Sequence, residues 1–310
     1  MQLFLVILGA LFGFIYGYNS DGFIFSSKIC LFAGLTLIMP SLFKVKFSDI
    51  TLLWHYKLLL LKGIVLNYVF LPLLAIGIGL LTQSYAIAAG LFLLSVLSGG
   101  GMVMHWIKKS GGDTSFGFLL LFINLMFVSL SLLMLHLFGV YFAEYFGESY
   151  SDGTDLGSFA NGVLILLIVV PFVVSRFIIF IKPLVKLIET YRSYISNISI
   201  FIILIYLFGL QSTQLLVDVY DFEPELIYIS LFSVIGFYVS IVLLAHVVYN
   251  LDSPQERAAF WHSVTRYITL ALVISTFSIN TFGAAMIIPI MFAYIIQIPF
   301  AIMIDKKLNK

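Results

Sequence analysis

A chain of 310 residues that is 62% hydrophobic and 10% charged, with a mean hydropathy of +1.12, lacks the polar surface that a soluble fold of this size needs. Its 16 basic and 15 acidic side chains leave a formal charge of +1, which excludes a nucleic-acid partner held by counterion release. A single cysteine, Cys30, excludes an intramolecular disulfide, a Cys-rich zinc site and a thiol–disulfide pair.

Such a composition belongs to a polytopic membrane protein. A bilayer core of about 30 Å takes roughly 20 helical residues to cross. Ten apolar runs of suitable length occur in chain order, at 2–18, 23–43, 58–81, 85–109, 115–139, 158–182, 195–216, 226–249, 258–282 and 286–304. The first has no basic segment ahead of it and no small-residue cleavage site behind it, so it reads as a span and not as a signal peptide.

Charge sorts the connections between these runs. Nine carboxylates fall in alternate loops: Asp21, then Glu144, Glu148, Asp152 and Asp155, then Asp218, Asp221, Glu223 and Glu225. Lysine and arginine avoid those loops and gather in the others, for example at Lys44, Lys46, Lys108, Lys109, Lys182, Arg192 and Lys306. By the positive-inside rule the expectation is an integral inner (plasma) membrane protein with both termini cytoplasmic. The acidic stretch 140–157 then divides the chain into a first five-helix repeat, 1–139, and a second, 158–310. An odd number of spans per repeat inverts the second against the first, a common plan of secondary transporters.

Two runs are interrupted. The fourth carries Ser98-Gly99-Gly100-Gly101, where each glycine costs about 1 kcal/mol of helix propensity. Either the glycines allow close helix approach, or the segment unwinds where protein or water lines the break. The ninth run carries His262, Ser263, Thr265 and Arg266. An intramembrane arginine either snorkels to the surface or faces a polar interior, and its polar neighbours favour the interior. His105 follows the triple glycine by one turn. Asn67 and Asn124 lie deep in the third and fifth runs, while Pro72 and Pro171 read as kinks. Lys28, Lys62 and Arg176 lie near run ends, where snorkelling is the default.

Short motifs then carry a resemblance. Gly34-Leu35-Thr36-Leu37 with Lys44, the stretch Asn67 to Leu74, and Ser98-Gly99-Gly100 with Gly112-Asp113 resemble the bile acid:sodium symporter family. Met102-Val103, Trp106, Gly111-Gly112-Asp113, Asn124, Asn280, Gly283-Ala284-Ala285 and Gln297-Ile298-Pro299 are similar to the related arsenite permease family. The resemblance implies an all-α fold of ten transmembrane helices in two inverted repeats, with broken helices four and nine crossing in a core domain beside a panel domain. It implies a transporter and not an enzyme, here a divergent member.

Departures from both patterns narrow the chemistry. Gly99 stands where the arsenite permeases place a cysteine, and Gln297 where they place a glutamate. His262 and Arg266 stand where the symporters place a sodium-binding carboxylate and amide; Asn67 retains an amide in kind. A hard cation takes oxygen ligands, so the expectation is a transporter without family-type sodium sites and with no resident metal or cofactor. A proton carried by His105 or His262 fits as coupling ion better than sodium does. The expected cargo is an organic or small inorganic anion moved by alternating access, with Arg266 pairing its negative group and the glycine break presenting N–H groups. The candidate substrate site is Asn67, Ser98, Gly99, Gly100, Gly101, His105, Asn124, His262, Thr265, Arg266, Asn280 and Gln297. Its partners are that small anion and the lipid bilayer; homo-oligomerisation is left open. The alternatives are an arsenite or antimonite permease-like efflux protein and, more remotely, an intramembrane transferase, for which neither HExxH nor GxSxG occurs.

Overall fold

A computed structural model describes residues 2–20, 22–23, 28–43, 54–100, 102–150, 165–209 and 224–308. Apolar runs become helices because a backbone in lipid must satisfy its own N–H and C=O groups. In chain order these are α1 (Gln2–Asn19), α2 (Lys28–Ala33), α3 (Met39–Leu42), α4 (Lys57–Val65), α5 (Leu71–Thr82), α6 (Tyr85–Val96), α7 (Val103–Lys109) and α8 (Thr114–Met126). There follow α9 (Val128–Phe142), α10 (Val170–Ile178), α11 (Lys182–Phe208), α12 (Pro224–Val248), α13 (Pro254–Val264), α14 (Ile268–Phe282) and α15 (Ile287–Leu308). Among the described residues, four continuous stretches are long and apolar enough to cross a membrane: Lys57–Thr82, Val128–Phe146, Pro224–Val248 and Ile287–Leu308. Shorter apolar helices accompany them. The described residues make an all-helical fold with stretches of membrane-crossing length and apolarity.

Prolines set the local geometry of three spans. Widened π turns at Gly34–Ile38, Leu66–Phe70 and Ile165–Val169 each run directly into a helix whose first turn holds a proline: Pro40, Pro72 and Pro171. A proline ring crowds the carbonyl four residues back and offers it no N–H. Widening the preceding turn relieves that crowding. The two expected kinks at Pro72 and Pro171 therefore take the form of π turns. Hydropathy underestimates α11, which begins at Lys182, well before the apolar run that starts at 195. Its first turns carry Lys182, Lys186, Glu189 and Arg192, which read as loop by composition.

The chain forms two compact units, Met1–Lys44 with Thr154–Phe222, and Val45–Gly153 with Glu223–Lys310. Each draws on both sides of the acidic stretch 140–157, so the units are not the two sequence halves. In the first unit α1 packs along α11 through glycine. A Cβ on Gly13 would lie 2.5 Å from the Ile205 carbonyl oxygen and 2.9 Å from Phe208 Cβ. Arg176 of α10 donates through its NH2 group to the Leu42 carbonyl at 2.6 Å and lies 5.0 Å from the Phe172 ring.

The second unit holds the polar interior. α7 packs on α13 through the stacked indoles of Trp106 and Trp261, 5.5 Å apart. The Trp261 N–H reaches Ser110 Oγ at 2.7 Å and the Arg257 NH1 group donates to the Ser110 carbonyl. Gly111, at φ +73°, turns the chain from α7. Asp113 then caps α8 by accepting from Phe116 N–H, and its other oxygen accepts from Gln255. Lys62 pairs with Glu256 at 3.2 Å. Asp305, beyond the apolar run 286–304, lies within α15 and is 3% exposed, with Lys109 at 2.7 Å.

These contacts predict opposite signs for two similar substitutions. Gly13→Ala should lower the melting temperature of the detergent-solubilised protein, because the new methyl has nowhere to go; overpacking of this kind costs about 1–3 kcal/mol. Gly77→Ala, where nothing lies within 4 Å of the added carbon, should raise it, because alanine is the better helix former by about 1 kcal/mol.

Candidate functional site

α6 stops at Val96 and α7 starts at Val103; α13 stops at Val264 and α14 starts at Ile268. The two interruptions meet. Gly99 N–H donates to the Thr265 carbonyl at 2.8 Å and Tyr267 N–H to the Leu97 carbonyl at 2.9 Å, which makes an antiparallel bridge of Ser98 and Arg266. In an unbroken helix those two N–H groups would serve the carbonyls four residues back, which are Ser95 and Ser263. Their diversion into the bridge orphans both carbonyls, each in the last turn of a half-helix.

Arg266 takes both. Its NH1 group donates to the Ser95 carbonyl at 2.9 Å and to Asn67 Oδ1 at 2.9 Å, and its NH2 group donates to the Ser263 carbonyl. The Arg266 main-chain N–H, also released from helix, donates to Gln297 Oε1 at 2.6 Å, an oxygen that accepts from Tyr238 OH as well. The guanidinium is 1% exposed, and among the described residues no carboxylate pairs with it. Burying an unpaired ion costs several kcal/mol. Charge-assisted bonds of about 1.5–3 kcal/mol each offset this. So do two helix C-termini, each equivalent to about half a negative elementary charge. Together they match one guanidinium.

Glycine is required where the two chains touch. Gly99 has φ +72°, and a Cβ there would press on His262 Nδ1 and Asn124 Nδ2; at Gly100 it would lie 2.5 Å from the Arg266 carbonyl oxygen. His262 is 3% exposed and bonded on both nitrogens, Nε2 to the Gly117 carbonyl at 2.9 Å and Nδ1 to Asn124 Nδ2 at 3.1 Å. The imidazole therefore donates from Nε2 and accepts at Nδ1. Thr265 Oγ1 donates to the Trp261 carbonyl, and Ser98 Oγ, buried, has no hydrogen-bond partner.

A cavity of about 350 Å³ opens beside this crossing. Asn67, Asn124, His262 and Ser263 supply polar lining with the hydroxyl-bearing Tyr68 and Tyr249, against an apolar wall that includes Leu120, Ile123 and Phe127. Asn67 uses its whole amide: Oδ1 accepts from Arg266, and Nδ2 donates to the Gly63 carbonyl and to Ser263 Oγ. Ser263 Oγ also meets Tyr249 OH at 2.9 Å. Asn124 commits one N–H to His262. Among the described residues, no carboxylate and no cysteine line the cavity.

The expected site residues thus separate. Asn67, Asn124 and His262 reach the cavity. Ser98, Gly99, Gly100, Thr265, Arg266 and Gln297 build the crossing behind it. Arg266 is not among the residues lining the cavity; its NH1 and NH2 groups hold protein oxygens, while its buried Nε has no hydrogen-bond partner among the described residues. The Gly99 N–H, expected to be open to a ligand, is held by Thr265. His105 is exposed on α7, edge-on to Trp106 at 5.1 Å, and takes no part in the cluster. Asn280 is in α14, with its side chain outside the described residues, as is Gly101. Residues not expected are Tyr68, Tyr249 and Ser263, together with the carbonyl of Ser95. For Ser263 the polar stretch 262–266 was a signal; a main-chain oxygen leaves none.

Gly99→Ala should cost about 2–4 kcal/mol, the sum of left-handed backbone strain and overpacking, read as loss of folded yield and a lower melting temperature. Gly147→Ala provides the control: its φ is +74° with nothing within 4 Å, so only the strain of about 1 kcal/mol or more applies.

Residues 31–218, well over half of the chain, match the Sodium Bile acid symporter family. No curated protein matches the chain. The match stops before α13, so His262, Arg266 and Gln297 lie beyond it, whereas Asn67, the glycine break and Asn124 lie within it. With a glycine-broken helix bridged to a second broken helix in an all-helical membrane protein, the chain belongs to the sodium bile acid symporter family, whose members are transporters.

Proposed function

We propose that this protein is a secondary transporter of an amphipathic organic anion, working by alternating access without a family-type sodium site. In this reading ten transmembrane helices form two inverted five-helix repeats, 1–139 and 158–310, around an acidic extracytoplasmic loop at 140–157. Both termini are cytoplasmic and the membrane is the inner (plasma) membrane.

One observation carries the choice of cargo. The cavity is bounded by an apolar wall and a polar edge on which Asn124 commits one amide N–H to His262 and offers the other, and among the described residues no carboxylate lines it. The Arg266 charge behind it is balanced by two helix ends, so the polar edge carries the selectivity: a free donor with no carboxylate beside it, in a water-poor interior, favours negative cargo. A volume of about 350 Å³ suits a small organic molecule, and its mostly apolar lining suits an amphipathic molecule better than a bare oxyanion. Asn124 supplies the amide that meets the ligand, and Leu120 and Ile123 supply the apolar contact.

Purified protein in proteoliposomes should accumulate at least one radiolabelled organic anion from a set comprising a bile acid, an aromatic monocarboxylate and a dicarboxylate, above protein-free vesicles. Replacing external sodium by choline should leave the rate unchanged. Asn124→Ala should weaken apparent affinity about 10-fold or more, as expected for a hydrogen bond to a charged group, and Leu120→Trp should block uptake by filling the cavity. Accumulation of neutral or cationic probes with exclusion of all three anions would overturn the cargo assignment.

A further inference from the structure

The oxygens around Arg266 have the chemistry of cation ligands. Ser95 and Ser263 contribute main-chain carbonyls and Asn67 contributes a side-chain amide oxygen, and the three converge on one guanidinium from three different elements. Neutral carbonyl and amide oxygens are ligands that hard monovalent cations take up in place of water. Two of these oxygens end half-helices, so the dipoles supply about one negative charge between them. A monovalent charge balances that field; a divalent ion would need anionic ligands. The set is also built: Asn67 is held by Gly63 and Ser263, and the two carbonyls are aimed by the Ser98–Arg266 bridge.

We propose that Arg266 is a tethered replacement for a coupling cation, and that it determines the ion dependence of this transporter. The cage holds one positive charge at all times because the charge is attached to α13–α14 of the same chain. A dissolved sodium ion has no place in it while the side chain is present, and gains one when the side chain is cut back. The word "coupling" rests on the transporter reading above; the cage and its preference for a monovalent cation do not.

Thermal unfolding of the full-length protein in detergent tests this without any organic substrate. Arg266→Ala and Arg266→Gly are compared with wild type in choline, sodium and millimolar guanidinium chlorides at matched ionic strength. Wild type should melt at one temperature in all three. Both variants should melt lower in choline and recover by roughly 3–5 °C at saturating sodium or guanidinium. Adding Asn67→Ala should raise the rescuing concentration at least tenfold. Arg266→Lys, which keeps a tethered charge, should remain indifferent to the salt. Equal sodium shifts in wild type and variants, saturable binding of radioactive sodium to wild type that Asn67→Ala abolishes, or variants no more stable in sodium or guanidinium than in choline would each overturn the proposal. Failure to obtain either variant folded in any salt counts as failed rescue. A failed rescue leaves anion uptake standing, and a failed anion screen leaves the cage standing.

Discussion

The bridge between Ser98 and Arg266 is the constraint from which the rest of the polar interior follows. Two main-chain N–H groups leave their helices to bond across the crossing, and that exchange orphans two carbonyls in an environment where water cannot rescue them. A buried guanidinium is costly alone, and so are two unsatisfied helix ends. Each solves the other's problem. The same crossing requires glycine at 99 and 100, because the second chain and the His262–Asn124 pair occupy the space that side chains would fill. Gln297 and Tyr238 close the arrangement from α15 and α12, since the Arg266 N–H released from α13 needs an acceptor of its own.

Much of this was legible in the letters, for reasons that can be stated residue by residue. Hydropathy marks apolar length, and among the described residues helix accompanies the apolar runs. It fails at α11, whose first turns are polar yet helical. Triple glycine announced the break after Val96 because no other residue lowers helix propensity and packing together. The second break contains neither glycine nor proline; Thr265 and Tyr267 leave the helix where the segment Leu97–Gly99 offers them partners, and the Arg266 N–H where Gln297 does, a tertiary cause that no local signal records. The division of the fifth run between α8 and α9 at Phe127 is similar. Its visible correlate is Ser131, whose hydroxyl donates to the Val96 and Phe127 carbonyls.

Arg266 shows where reading side chains reaches its limit. An intramembrane arginine with histidine and threonine beside it favours a polar interior, and Arg266 is buried among polar groups. What letters could not show is that the interior polarity is mostly backbone. Ser95 and Ser263 contribute their carbonyls, an identity-independent group, so nothing about serine advertised the role. The guanidinium consequently meets protein oxygens and does not line the cavity. His105 illustrates the converse error: proximity in sequence to the glycine break placed it near the site, whereas its direction on α7 turns it to the surface.

A charge fixed in the chain differs from a bound ion in a way that bears on energetics. A dissolved cation fills its site only to the extent that its concentration exceeds its dissociation constant, so gradients across the membrane change occupancy and can drive a cycle. A tethered group has an effective concentration set by its linker, here a few covalent bonds to a backbone that is itself pinned in the bridge. Its occupancy is the same on either side of the membrane. A ligand or ion shifts a conformational equilibrium only by its differential affinity for the two states, and an occupant that neither leaves nor changes with concentration carries no gradient into that equilibrium. In the proposed role the oxygen cage keeps the structural service of a cation, holding two broken helices together through their negative ends, while giving up the thermodynamic one.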